Sequence, residues 1–559
     1  MADGLMTDRA LAMRAVPAGL LDRARIVAKP GFNRWLVPPA ALAIHLCIGM
    51  AYGFSVFWLP LGRLIGGDKA VAPPADTGVL TMLFTTAYDW RVSDVTVLYT
   101  LFFVFLGSSA AIWGGWLERV GPRRAGTYAA LCWCGGLMIS ALGIYTHQLW
   151  MMWLGSGVLG GIGLGLGYIS PVSTLIKWFP DRRGMATGMA IMGFGGGALI
   201  GSPLAVMLMN RFGDGVASRG IWQTFLAMGC IYLVFMLSGA FGYRVPPTGW
   251  APDGWALAAK KSGMVTRGNV ALQDAHKTPQ FWLIWACLML NVSAGIGVLA
   301  VASPLLQEMF GGKLVGAAGV GFAALSTEQA RAVATVAAGF VGLLSLFNIG
   351  GRFVWASISD RIGRKLTYAT FFALGCVLYA GAPWAGQIGS VALFVTFMCV
   401  ILSMYGGGFA TVPAYLADMF GTQYVGAIHG RLLTAWSTAG VIGPLAITQI
   451  PEYQIRSGVP KDQAYQTTLY VLAGFLVVGF VCNLLIRPVS ERWFMRNADG
   501  AAGAGAVGSM SLVSGMDPGG QGIGRGGISG MALVAWAAVG VPLAWGIWET
   551  LSKALVLFR

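Results

Sequence analysis

The sequence predicts an all-α membrane protein, a bundle of twelve spanning helices in two six-helix halves, with a thirteenth apolar helix after it. Three observations carry the prediction. Of the 559 residues, 56% are hydrophobic and 11% charged, with a mean hydropathy of +0.69, whereas a soluble domain carries about 25% charged residues. Twelve apolar stretches each approach the roughly 20 residues needed to cross hydrocarbon. The second six repeat landmarks of the first at a nearly fixed offset.

The stretches lie near 35–62, 97–117, 125–145, 148–177, 185–210 and 222–243, then near 280–307, 333–358, 366–385, 388–417, 425–449 and 467–487. This divides the chain into an N-terminal segment 1–34, a first half 35–243, a central loop 244–279, a second half 280–487, a Gly/Ala/Ser-rich linker 488–530 and an apolar helix 531–558. The first apolar stretch is long and lacks a small-residue cleavage site, so it reads as a span and not as a cleavable signal. The linker composition predicts flexibility. The last stretch can cross the membrane with a kink at Pro542, or lie along its surface. We expect it outside the bundle, stabilising or regulating it.

A net charge of +15 raises the question of a nucleic-acid partner. The basic residues fall in short segments between apolar runs and make no extended basic face, so none is expected. Their positions set an orientation instead. Arg9, Arg14, Arg23, Arg25, Lys29 and Arg34 precede span 1; Arg119, Arg123 and Arg124 follow span 2; Lys177, Arg182 and Arg183 follow span 4. Lys260, Lys261, Arg267 and Lys277 occupy the central loop, and Arg361, Arg364 and Lys365 follow span 8. These predict a multi-pass inner-membrane protein with a cytoplasmic N-terminus. The eight cysteines all sit in apolar runs, with neither zinc-type spacing nor a disulfide framework. No metal, cofactor or catalytic constellation emerges, so no enzyme activity is expected. GGIGLGLGY (160–168) has the glycines of a dinucleotide loop but lies inside span 4, where helix packing explains it.

WLERVGPRR (116–124) follows span 2 and SISDRIGRK (357–365) follows span 8, which aligns Glu118 with Asp360. GYISPVSTLIKWF (167–179) parallels GFATVPAYLADMF (408–420), and Pro203 parallels Pro444. All three pairs are offset by 241 or 242 residues. Six spans per half give the repeats one orientation, the arrangement in which a transported solute binds between halves near the midplane.

The paired loops resemble the signature loop of the major facilitator superfamily, G-x-x-x-D-R-x-G-R-(R/K), with Glu118 replacing the first acid. Glu118, Arg119 and Arg123 in one copy, and Asp360, Arg361 and Arg364 in the other, are expected to form charge-assisted bonds that latch the cytoplasmic face. YISPVSTLIKWFPDRRGMATGM (168–189), NVSAGIGVLA (291–300) and VPAYLADMFGTQYVGAIHG (412–430) resemble the oxalate/formate antiporter family, close to the monocarboxylate transporters. The 531–558 helix resembles the single-span companion subunits of some relatives, here fused. The resemblance implies a monomeric carrier of a small carboxylate such as formate, lactate, pyruvate or oxalate, working by alternating access as an exchanger or with protons. A carboxylate sensor with a carrier fold is the alternative.

Within the spans, acids sit at the cytoplasmic ends, while Arg352, His45, His429 and Arg431 are bases. That favours an anion. Arg352 lies eight residues from Asp360, about 12 Å inside, where it either binds an anion or snorkels to the headgroups. Asn348 shares its face at i−4, and Gly350 and Gly351 thin the helix beside it. The resemblance places a substrate carboxylate on the arginine of such an N-x-x-x-R pattern. It also implies a span-11 lysine for oxalate, at the position Trp436 holds here, which favours a monocarboxylate. Tyr52, Tyr168, Tyr405 and Trp436 are candidate cavity-lining donors. His45 and His429 are candidates for a proton or anion role.

Overall fold

A computed structural model describes residues 19–66, 71–74, 77–213, 217–247, 250–252, 265–266, 268–495 and 530–558. Most of the expected N-terminal segment, the middle of the central loop and most of the linker lie outside these residues. The described chain is helical apart from short connections and two isolated bridges, Val27–Val245 and Val270–Phe494.

The first half comprises α1 to α6. Helix α1 runs over Val37–Ile48 and tightens into 3-10 turns over Gly49–Phe57; α2 is Val92–Val120 and α3 is Pro122–Tyr145. Helix α4 spans Leu149–Trp178, with a π-helical stretch over Trp153–Gly160. Helix α5 is Arg183–Phe212 and α6 is Ile221–Gly242. The second half has α7 (Pro279–Leu314), α8 (Thr327–Ile362), α9 (Arg364–Gln387), α10 (Val391–Phe420), α11 (Val425–Leu432 continued by Thr434–Arg456) and α12 (Lys461–Leu485); α13 is Gly530–Ala554.

Among the described residues, twelve helices are long and apolar enough to cross a membrane. Eleven are predicted spans of the two halves, and the twelfth is α13. The remaining predicted span, 425–449, became α11, interrupted at Leu433 and carrying Pro444 and Pro451. It sits inside the bundle, with Ala435, Trp436 and Ala439 fully buried, so packing compensates for its weaker apolar character.

The repeat is visible in the turns. Gly121 (φ 87°, ψ 165°) ends α2 and Gly363 (φ 88°, ψ 153°) ends α8. Both occupy a left-handed region that a Cβ disfavours, so each repeated loop needs its glycine. These two turns lie on one face of the bundle, called the basic face below. Helices α2, α4, α8 and α10 end there, while α5 and α11 begin there.

Candidate functional site

Five helices contribute one residue each to a single layer. Arg352 and Tyr168 lie 10 residues before the basic-face ends of α8 and α4; Phe409 lies 11 before that of α10; Phe194 and Trp436 lie 11 after those of α5 and α11. At 1.5 Å per residue this is about 15 Å in, half of a roughly 30 Å hydrocarbon core. Arg352, Tyr168, Trp436, Phe194 and Phe409 are all fully buried.

Arg352 does not reach towards headgroups. Its Nε donates to Asn348 Oδ1 at 3.0 Å, and Nη1 donates to the carbonyl of Ile191, on the opposite half, at 3.0 Å. The guanidinium lies over the rings of Phe409 and Phe194, 5.4 and 5.7 Å from their centroids, within cation–π range. Nη2 is buried without a partner among the described residues. Two of five N–H groups are thus committed to holding the fork, and three are left for a ligand.

The neighbouring donors are in the same condition. Tyr168 Oη, Trp436 Nε1 and both ring nitrogens of His429 are buried and lack partners among the described residues. They share one neighbourhood: Tyr168 lies 5.2 Å from Trp436 and 5.9 Å from His429 between ring centroids, and Trp436 lies 4.3 Å from Phe409 and 5.2 Å from Phe194. An unsatisfied buried polar group costs about 1–3 kcal/mol. Several donors around one cation, walled by aromatic rings, form an arrangement suited to an anion. No carboxylate falls in this layer among the described residues.

Tyr52 and Tyr405 lie on the far side of the layer from the basic face. Their hydroxyls share a 2.8 Å hydrogen bond between the halves, and Tyr52 also packs near Trp436 and against Phe194. His45 stands behind Tyr168, its rings 5.4 Å apart. Its Nδ1 faces the Ala190 carbonyl and its Nε2 faces that of Tyr168 at 3.3 Å. His429 lies seven residues before Trp436, on the basic-face side. Arg431 is drawn away, donating to the Leu272 carbonyl and contacting His276 Nδ1.

One expectation fails in detail. Gly351 does not open space beside Arg352, because a Cβ there would overlap the Ser403 backbone of α10, whereas Gly350 faces open space. The small residue serves a close helix crossing.

The two loops differ. Asp360 accepts from the backbone N–H groups of Gly184 (3.0 Å) and Met185 (3.1 Å) at the start of α5, on the opposite half. A carboxylate there satisfies free amides and meets the positive helix end. Asp360 also pairs with Arg364 at 2.6 Å, and Arg364 pairs with Asp418 at 3.1 Å. Glu118 instead accepts from Ser173 (2.9 Å) and Lys177, both in its own half. Three of the expected arginine partners, Arg119, Arg123 and Arg361, are corrected here. Arg123 is buried and donates to the carbonyls of Leu20 and Phe241. Arg119 and Arg361 are exposed and reach no acid among the described residues. Phe194, Phe409, the Ile191 carbonyl and Lys177 were not foreseen. Bare rings carry no polar signature in an apolar chain, and a backbone carbonyl carries no residue signature at all.

Residues 75–444 match the Major Facilitator Superfamily, and the chain belongs to it: it is a multi-pass membrane transporter, not an enzyme. It is 29% identical over 465 residues to the oxalate:formate antiporter of Oxalobacter formigenes, covering 82% of this chain and 94% of that one. It is 24% identical to apicoplast pyruvate carrier 1 of Toxoplasma gondii, covering 60% of this chain and 66% of that one. The fold is similar to that of the proton:xylose symporter XylE, with a TM-score of 0.55 and 15% identity over 81% of this chain and 95% of that chain. The Escherichia coli fucose:proton symporter FucP gives a TM-score of 0.51 and 11% identity over 82% and 100%.

Proposed function

We propose that this protein is a secondary carrier of small organic anions that binds a carboxylate on Arg352 and exposes it alternately to the two faces. The observation that carries the reading is the set of buried donors without partners among the described residues, Arg352 Nη2, Tyr168 Oη and Trp436 Nε1, in one midplane layer. A guanidinium stays charged at any working pH and can hold a carboxylate through two N–H groups. Asn348 and the Ile191 carbonyl orient it, Phe194 and Phe409 wall it, and Tyr168 and Trp436 complete the donor set.

The preferred substrate in this reading is a monocarboxylate such as formate, lactate or pyruvate, with oxalate a weaker one. Trp436 brings a donor but no charge, and Arg431 is engaged elsewhere. The similarity to an oxalate:formate antiporter and a pyruvate carrier supports the substrate class. Exchange or proton coupling would close the cycle, with His45 and His429 as the ionisable groups nearest the site. The basic face is the cytoplasmic one in this reading, with the carrier in the inner membrane. Asp360 holds that face shut across the two halves, and the Tyr52–Tyr405 bond closes the other side.

Counterflow in proteoliposomes tests this directly, using labelled formate, lactate, pyruvate and oxalate. Wild type should exchange at least one, and Arg352→Gln should exchange none. Normal exchange by the variant would sink the site assignment, and no exchange by folded wild type would sink the carrier reading.

A further inference from the structure

The thirteenth helix bridges the two halves. Ala532, Val539, Thr550 and Ala554 are buried along one stripe of α13, while Met531, Val534, Val541 and Trp548 are each more than 65% exposed on the other side. The exposed face suits lipid. The buried stripe meets both halves through small residues. On α5, Leu543 packs at Gly196, and Gly546 sits on the backbone of Leu199, where a Cβ would lie 2.7 Å from the carbonyl oxygen. On α8, Thr550 fills the space beside Gly342, with its Cβ 3.2 Å from where a Gly342 Cβ would stand.

These contacts also fix its direction. Gly196 meets Leu543 and Leu199 meets Gly546, so both helices advance by three residues together. Helix α13 therefore runs parallel to α5, which starts at the basic face, and antiparallel to α8. It enters at the face where α12 ends and finishes at the opposite one.

The seam it covers is the one that holds Arg352. Helix α8 carries Asn348 and Arg352; α5 carries Ile191 and Phe194. The two helices touch at Gly188, where a Cβ would meet the Arg352 carbonyl at 2.7 Å. Alternating access requires the halves to rock against each other, so α5 and α8 must shift relative to one another. A helix seated on both resists that shift unless it lets go of one side.

We propose that α13 is a built-in clamp on the α5–α8 seam, stabilising its closed arrangement and slowing the exchange of faces. The proposal rests on the carrier reading, since a clamp on rocking has meaning in a protein that rocks.

The test ties α13 covalently to each half in the full-length chain, with exposed Cys230 replaced by Ser. Gly342→Cys with Thr550→Cys joins it to the second half, and Gly196→Cys with Leu543→Cys joins it to the first, through a short bis-methanethiosulfonate cross-linker, each thiolate displacing a sulfinate to form a reducible disulfide. Each tie should form in membranes, and one alone should leave counterflow within about twofold of wild type. Both together should slow it at least about tenfold, with recovery on reduction. Failure of either tie to form places α13 elsewhere and overturns the proposal. A doubly tied protein that exchanges at the wild-type rate overturns it as well. Wild type measured in the same vesicles separates the two readings. If wild type exchanges nothing, the carrier reading falls and the clamp with it; if it exchanges normally, an unaffected doubly tied protein removes the clamp alone.

Discussion

Arg352 of the second half donates from Nη1 to the backbone carbonyl of Ile191 in the first half, at 3.0 Å. In the carrier reading, the residue that binds the anion is therefore also a tie between the two halves. Asn348 holds the same fork by its Nε, so the guanidinium is positioned from both sides of the seam. Arg352→Lys keeps the charge but loses the planar fork, and an ammonium is not equivalent where bidentate geometry matters. Counterflow should fall about a hundredfold, a loss near 2.7 kcal/mol. Retention of most of the rate would show that charge alone suffices.

Trp436 takes a site in the donor layer without adding charge. Trp436→Lys should raise the preference for oxalate over formate by about tenfold or more, because the second carboxylate gains a partner. Competition of unlabelled oxalate and formate against one labelled substrate measures it. An unchanged ratio would mean that position 436 does not face the second carboxylate.

The two repeated acids should not be equivalent. Asp360→Asn weakens the cap that crosses to Gly184 and Met185 and the pairing with Arg364. Glu118→Gln perturbs hydrogen bonds within one half. Asp360→Asn should cut exchange about tenfold and Glu118→Gln by less than about threefold, since charged hydrogen bonds contribute about 1.5–3 kcal/mol. Initial rates at saturating substrate compare them, and equal losses would contradict the asymmetry.

Tyr52→Phe removes one hydroxyl from the Tyr52–Tyr405 bond while keeping the ring against Phe194. A neutral hydrogen bond contributes about 0.5–1.5 kcal/mol net. The side away from the basic face should open more readily, by about threefold to tenfold in the labelling rate of a cysteine introduced at that side. A labelling rate identical to wild type would assign the closure to other contacts.

Much of the architecture was legible because lipid imposes a crude rule on composition. Spans need length and apolarity, and the repeat repeats its loops, so Glu118 and Asp360 could be paired before any coordinates. The interruption of α11 at Leu433 was not legible, since neither a proline nor a glycine stands there. Within the layer, Arg352 and Asn348 stood out as polar groups in apolar surroundings. Phe194 and Phe409 did not, being two of 29 phenylalanines with nothing local to mark them. The contrasting partners of Glu118 and Asp360 also escaped, because equal spacing in two repeats implies equal roles until the halves pack. The reach of α13 across both halves depends on Gly196, Gly342 and Gly546, three among 82 glycines.

Arg352 is the one fixed cation in its layer among the described residues, and its depth has an electrical meaning. Moving one charge through the full membrane potential is worth about 2.3 kcal/mol per 100 mV. In the carrier reading, the Arg352 site is neutral with a monoanion bound, whereas with a dianion it carries one net negative charge. Swapping one monoanion for another is then indifferent to voltage, and swapping a dianion for a monoanion is driven by it. The number of charges on the substrate would decide whether the carrier feels the membrane potential or generates one.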